Sequence, residues 1–141
     1  MKASQIIPQN PKTTKKIVSF RQGTRNEQRE YVWNEAKHRT CIYVNWDDDI
    51  SRYNAPPSMP YTVYTNEQRH IHVLRIIYQI CDILDVDILV FDPFQSFQEQ
   101  SISPFFCAIT SLAHKKNITV FLMLVQQAPI IQAEVYIDPR R

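Results

Sequence analysis

Four aspartates stand where a metal ion could be held. Asp47, Asp48 and Asp49 directly follow one apolar run, and Asp92 ends another, at 86–92. Both runs are short and rich in branched and aromatic residues, which is typical of strands buried on both faces of a parallel sheet. Open α/β sheets bind ligands outside the carboxyl ends of their strands, so these carboxylates are expected at one edge. Carboxylate oxygens suit Mg²⁺ or Mn²⁺, and the pattern fits a small metal-dependent nuclease or phosphohydrolase that uses Asp47, Asp49 and Asp92.

A second interpretation of the aspartate run is structural. Consecutive aspartates favour turns, and a solvated loop after a strand would have the same composition. A metal-dependent nuclease commonly needs a further acid after a later strand, whereas Gln126 and Gln127 follow the apolar run 118–125. Both interpretations remain open from the residues alone.

The elements that would position these residues alternate along the chain. Strands are expected at 16–20, 40–46, 86–92 and 118–125, with a short edge strand at 134–137. The alternation with helical patterns predicts right-handed crossovers and a three-layer α/β/α sandwich with a mostly parallel sheet, P-loop- or Rossmann-like. Residues 15–141 are expected to form one α/β domain after a flexible, basic lead-in over 1–14.

Three helices are expected between the strands. The first begins at the capping box that Thr24 opens and runs to about residue 37, and the second begins at a capping box over 65–68. Ser103 and Pro104 are expected to begin the third helix, and Asn117 to end it. The proline-rich segment 51–64 is expected to be a loop. The second helix carries apolar residues at helical spacing that predict its buried stripe: Ile71, Leu74, Ile77, Tyr78, Cys81 and Leu84.

Glycine is unusually scarce. Ordinary usage predicts about ten glycines in 141 residues, and this chain has one, Gly23. Only glycine lets a backbone wrap closely around a phosphate group, so a function that needs a full glycine-rich phosphate loop is excluded.

Charge is unevenly distributed although the formal net charge is only +2. Residues 1–40 hold nine Lys and Arg against three acids, whereas residues 41–100 hold three against nine. A basic amino-terminal segment can be a nucleic-acid arm, but solvated helix and tail faces more often have this composition. The residues that would contact nucleic acid are Lys12, Lys15, Lys16, Arg21, Arg25 and Arg29.

The three cysteines indicate the compartment. Cys41, Cys81 and Cys107 are an odd number, lie in apolar patterns and form no CxxC motif, as expected of buried thiols in a reducing environment. The sequence starts without a signal-peptide pattern, and its longest apolar run is too short to span a bilayer. A cytoplasmic protein without membrane contact is therefore expected.

Over about residues 16–127 the chain resembles P-loop NTPases, of the ParA/MinD partition type and more loosely of the RecA type. The resemblance is carried by the strand 16–20 before Gly23-Thr24, the strand that leads into the aspartates, and the strand 88–93 that ends in Asp-Pro. It departs from the family in the loop, where several glycines and the phosphate-binding lysine are missing.

The resemblance implies a degenerate relative that does not hydrolyse nucleotide. We therefore expect a non-catalytic accessory domain that binds a protein partner, within a nucleic-acid-handling assembly of the DNA partition or recombination type. Such a domain needs no cofactor. One alternative is the metal-dependent nuclease or phosphohydrolase, with Mg²⁺ as its cofactor. The other is a protein that binds nucleotide without hydrolysis through Gly23, Thr24 and Asp92.

Overall fold

The computed structural model describes residues 16–20, 22–46, 61–67, 69–92, 99–123 and 134–140. Within these ranges the chain forms six strands and three helices. The strands are β1 (Ile17–Phe20), β2 (Cys41–Asn45), β3 (Thr62–Thr65), β4 (Ile88–Asp92), β5 (Thr119–Leu122) and β6 (Val135–Ile137). The helices are α1 (Arg25–Ala36), α2 (His70–Ile83) and α3 (Glu99–Lys116).

The strands form one sheet in the order β3-β2-β4-β5-β1-β6, and every neighbouring pair is parallel. The predicted α/β architecture is therefore confirmed. Every residue of β2 and β4 is buried, as the apolar composition of the two strands predicts. None of the helices in the described ranges is long and apolar enough to cross a membrane.

The helices cover both faces of the sheet. Val32 and Ala36 of α1 pack with Tyr43, Val90 and Phe121 on one face. The buried residues of α2 and α3 pack on the opposite face, in a second cluster that includes Ile42, Val44, Leu89, Phe91 and Val120. The reason lies in the crossovers: α1 leads from β1 across the sheet in one direction, whereas α2 and α3 lead back in the other. Right-handed connections that run in opposite directions place their helices on opposite faces.

Glu134 holds the start of β1 to the end of α3. Its Oε1 accepts hydrogen bonds from the backbone N–H groups of Lys16 (2.6 Å) and Ile17 (3.0 Å), and its Oε2 lies 2.7 Å from Nε2 of His114. Burial raises the pKa of the Glu134 carboxyl, but these bonds outweigh burial and bring its pKa below the ordinary value. Lys16 is buried, and its ammonium group donates to the side chain of Asn117.

Several predicted element boundaries are wrong. β3 forms inside the segment that was expected to be a loop, because Thr62-Val63-Tyr64-Thr65 supplies the branched and aromatic residues that pair with β2. The capping box over 65–68 does not form: Thr65 ends β3, and α2 begins at His70 after Arg69, without a side-chain cap.

The third helix also differs at its start. α3 begins at Glu99, so that Pro104 lies inside it rather than at its first position. As the sixth residue of α3, Pro104 lies past the first turn, so it removes one backbone hydrogen bond of the helix. The end of α3 is as predicted, since Asn117 follows it with a left-handed φ of 60°.

Candidate functional site: the carboxyl edge of the sheet

Asp92 ends β4 at a topological switch point. The chain leaves β2 toward β3 and leaves β4 toward β5, so the connections from these two adjacent strands run in opposite directions. A crevice outside the carboxyl ends of such strands is where open α/β sheets bind ligands. Asn45 and Asp92 are paired across this point, and the N–H of Trp46 donates to the Asp92 carbonyl at 3.1 Å.

The Asp92 carboxylate is completely buried and accepts hydrogen bonds on both oxygens. Oδ1 accepts from Nη2 of Arg25 at 2.7 Å and from Nη2 of Arg29 at 3.4 Å. Oδ2 accepts from Nε of Arg29 at 2.7 Å and from the Tyr43 hydroxyl at 2.6 Å. A carboxylate has about four acceptor sites, and here four donors face it. We refer to Asp92, Arg25, Arg29 and Tyr43 as the Asp92 cluster.

Both arginines come from one side of α1. Arg25 and Arg29 are four residues apart, and Val32 and Ala36 continue the same line toward the end of the helix. Residues at this spacing share a helix face. The apolar pair faces the sheet, so the two arginines face it as well, and α1 begins beside the carboxyl ends of the strands. The Arg29 side chain is 6% exposed and that of Arg25 is 37% exposed.

Tyr43 joins the cluster from the neighbouring strand β2. It lies on the α1 face of the sheet, its side chain is completely buried, and its ring centroid is 5.2 Å from that of Tyr64 on β3. The cluster thus links α1, β2 and β4. Charge-assisted hydrogen bonds are about twice as strong as neutral ones, and a buried ion requires them to offset the loss of hydration. What the arrangement does directly is hold the first helix onto the sheet.

The turn before α1 is closed by residues of the chain itself. The predicted capping box forms: Thr24 Oγ1 accepts from the Glu27 N–H at 3.1 Å, and the Thr24 N–H donates to Glu27 Oε1 at 2.8 Å. Gly23 has a left-handed φ of 97°, and a Cβ at this position would lie 2.6 Å from Cγ of Pro139. In a P-loop a phosphate group would bind at this helix start. Here the Glu27 carboxylate and Pro139 lie there instead.

We expect Gly23→Ala to lower the free energy of unfolding by about 1–3 kcal/mol. The left-handed φ alone costs an alanine roughly 1–2 kcal/mol, and the contact with Pro139 adds to it. Urea denaturation measures the change. Pro139→Ala in the same background should recover only the contact part of the loss, because it leaves the backbone angle unchanged. Equal stability of Gly23→Ala and the parent protein would contradict this account of the turn.

The structure brings together only some of the residues proposed for binding. Gly23, Thr24 and Asp92 lie at the same edge of the sheet, with Asp92 facing α1. Asp47 and Asp49 lie outside the described residues. Within the described ranges, no group of three or more His, Cys, Asp and Glu side chains could hold a metal ion.

Three of the six basic residues considered for nucleic acid are engaged within the protein. The side chain of Lys16 bonds to Asn117, and those of Arg25 and Arg29 bond to Asp92. The other three lie outside the described residues: Lys12, Lys15 and Arg21.

The cysteines differ in accessibility. Cys41 is buried, and burial raises the pKa of its thiol to about 12, although a hydrogen bond with Thr62 acts in the opposite direction. Burial also raises the pKa of Cys81. A thiol with a raised pKa is a poor nucleophile at neutral pH. Cys107 is exposed, so the expectation of three buried thiols is wrong for this residue.

The predicted buried stripe of α2 is only partly buried. Val73, Ile77 and Cys81 face the core, whereas Ile71 is 63% exposed, Tyr78 is 43% exposed, and Leu84 lies beyond the helix and is 45% exposed. The apolar residues of α2 span a wider arc than the sheet covers, which a spacing argument does not reveal. All the large exposed hydrophobic residues found in the described part of the chain lie within 61–84: Tyr61, Tyr64, Ile71, Tyr78, Ile83 and Leu84.

No protein-family model matches this chain, and no curated protein or solved structure resembles it at a significant level.

Proposed function

We propose that this chain is a non-catalytic α/β domain that binds a macromolecular partner. The observation that carries the proposal is the environment of Asp92. In an open α/β sheet, the acid at a switch point is the residue best placed to act on a ligand. Here the side chain of that acid is completely buried, and its carboxylate accepts four hydrogen bonds from other side chains of the protein. The carboxylate therefore binds two arginines of α1 where a ligand would otherwise bind.

The closed turn before α1 supports the same conclusion for nucleotide. A phosphate group at the helix start would meet the carboxylate of Glu27, which already accepts the Thr24 N–H. Like charges at this distance repel, and the donor that a phosphate would use is occupied. A domain descended from a P-loop NTPase-like ancestor would have lost its nucleotide in this way.

The exposed residues within 61–84 support the binding of a partner. Four of these residues, Ile71, Tyr78, Ile83 and Leu84, lie on α2 or directly after it, and they make this helix a candidate interface because large exposed hydrophobic residues are usually scattered singly over a monomer. β3 also forms one edge of the sheet in the described structure. Tyrosine is among the residues that most often contribute binding energy at interfaces.

A place within a nucleic-acid-handling assembly remains part of the proposal. Lys16, Arg25 and Arg29 are held by intramolecular bonds, so direct contact with phosphates would depend on Lys12, Lys15 and Arg21. Contacts of this kind go to the phosphate backbone and weaken steeply with salt. We therefore place the interaction with protein first.

Titration with Mn²⁺, Mg²⁺ and MgATP tests the proposal, with melting temperature and hydrolysis as the readouts. We expect no saturable rise in melting temperature and no turnover, because only a ligand that prefers the folded state stabilises it. A saturable rise with Mn²⁺ that Asp47→Ala abolishes, together with cleavage of an oligonucleotide, would overturn the proposal in favour of a nuclease. Asp85→Ala is the matched control, since Asp85 is exposed shortly before β4 begins, at the opposite edge of the sheet.

A further inference from the structure

Four exposed residues follow one line along α2. Ile71, Arg75, Tyr78 and Asp82 are spaced by four, three and four residues, and all are exposed. This spacing averages about 3.7 residues per turn, close to the 3.6 of an α-helix, so the four side chains share one face of α2. We refer to these residues as the α2 stripe. Along it, apolar and charged residues alternate.

The α2 stripe is complementary to itself when reversed. Arg75 and Asp82 are seven residues apart, about 10.5 Å along the axis, which is too far for an ion pair within the helix. In an antiparallel pair of α2 helices related by a two-fold axis near Tyr78, Arg75 lies opposite Asp82 of the partner subunit, and the symmetry repeats this pair. The two Tyr78 rings meet close to the axis. A parallel arrangement would instead bring like charges together.

We propose that the partner of this domain is a second copy of the same chain, docked through antiparallel contact of the two α2 stripes. The inference rests on the proposed function and names its partner. A two-fold interface uses the same surface on both subunits, and self-complementarity is its defining requirement. The stripe carries one positive and one negative residue, so it offers no net attraction for the phosphates of a nucleic acid.

One end of the α2 stripe is apolar, since Ile71 is 63% exposed. In the antiparallel arrangement the first turn of one α2 helix approaches the end of the other, where Leu84 is 45% exposed. One helix face on each subunit buries less than the roughly 1,600 Å² of a standard interface, so we expect dissociation in the micromolar range.

Sedimentation velocity of the full chain from about 1 to 500 μM, a range set by that expected affinity, tests the proposal. The parent protein should shift from monomer to dimer as its concentration rises. Arg75→Glu or Asp82→Arg alone should weaken the dimer about tenfold or more, because each places like charges opposite each other at two equivalent positions. The double variant with both changes should restore the parent affinity. Lys37→Glu at the end of α1 is the control, because it makes the same charge change as Arg75→Glu at an exposed position on the opposite face of the sheet.

Tyr78→Ala provides a second variant that keeps the charges. It should weaken the dimer about tenfold or more while the circular dichroism spectrum stays unchanged, because Tyr78 is partly exposed and contributes most of its contact across the axis. A chain that remains monomeric throughout the range overturns the proposal, as does a double variant no tighter than the singles. Neither result bears on the metal and nucleotide titrations, so failure of the dimer and failure of the non-catalytic function can be distinguished.

Discussion

Asp92→Ala is expected to lower the free energy of unfolding by about 3–5 kcal/mol, because it removes one partner of a buried ion pair. The Arg29 side chain is 6% exposed and its Nε donates to Asp92 at 2.7 Å. The substitution also removes the hydrogen bond that the Tyr43 hydroxyl donates to Asp92 at 2.6 Å. A hydrogen bond to a charged group contributes about 1.5–3 kcal/mol, so both losses act in the same direction. Urea denaturation of the parent and the variant gives the difference.

The pairing of Asp92 with Arg29 can be separated from simple loss of packing. Asp92→Leu combined with Arg29→Leu removes both charges and keeps apolar volume in the cluster. It should be more stable than Asp92→Leu alone, because replacing a buried ion pair by apolar residues is often neutral, whereas removing one partner is not. Arg69→Leu serves as the exposed control, since its ion pair with Glu67 is at the surface and such pairs contribute little. A loss below about 1 kcal/mol for Asp92→Ala would show that the cluster does not hold α1 to the sheet.

Trp46→Ala is expected to lower the free energy of unfolding by about 3–5 kcal/mol. Trp46 directly follows β2 and is completely buried. Its ring centroid lies 5.1 Å from that of Phe91 and 5.5 Å from that of Phe105, so it packs β4 against α3. The His70 ring is 4.9 Å away at the start of α2. Alanine would leave a large cavity where these three elements meet, and the surrounding residues can close it only in part.

The hydrogen bond and the ring of Trp46 can be tested separately. Its Nε1 donates to the Glu67 carbonyl at 2.7 Å, just before α2. Trp46→Phe keeps an aromatic ring but removes this donor, and we expect a smaller loss of about 1–3 kcal/mol. Tyr78→Ala removes an exposed aromatic ring and should cost less than either change. Thermal or urea unfolding measures all three. Equal losses for Trp46→Phe and Trp46→Ala would assign the effect to the hydrogen bond instead of the cavity.

The sequence predicted some secondary-structure elements correctly and missed one of them, β3. The apolar runs and the capping box at Thr24 are local features, and they correctly predicted the α/β class, most of the strands and the start of α1. β3 was missed because three nearby prolines dominate its segment, while its four residues gain their stability by pairing with β2. Strand formation depends on neighbours that are distant in sequence.

Asp92 could be singled out from the sequence because it ends a buried strand, but its partners could not. Arg25 and Arg29 look like surface charges in a basic segment, and the only local signal to the contrary is that they share a helix line with Val32 and Ala36. Whether that line meets an acid depends on which strand lies beneath α1. That is a property of strand order, since β4 is 63 residues from Arg29.

The sequence by itself determined the alternation of strands and helices, the absence of a glycine-rich phosphate loop and the position of an acid at the end of a strand. These follow from residue types and short spacings, which act within a few residues along the chain. Only the tertiary structure decided that Asp92 faces two arginines and a tyrosine, that Pro139 packs on Gly23, and that part of the apolar arc of α2 remains exposed. Such contacts join residues far apart in sequence, and they are set by how the elements pack.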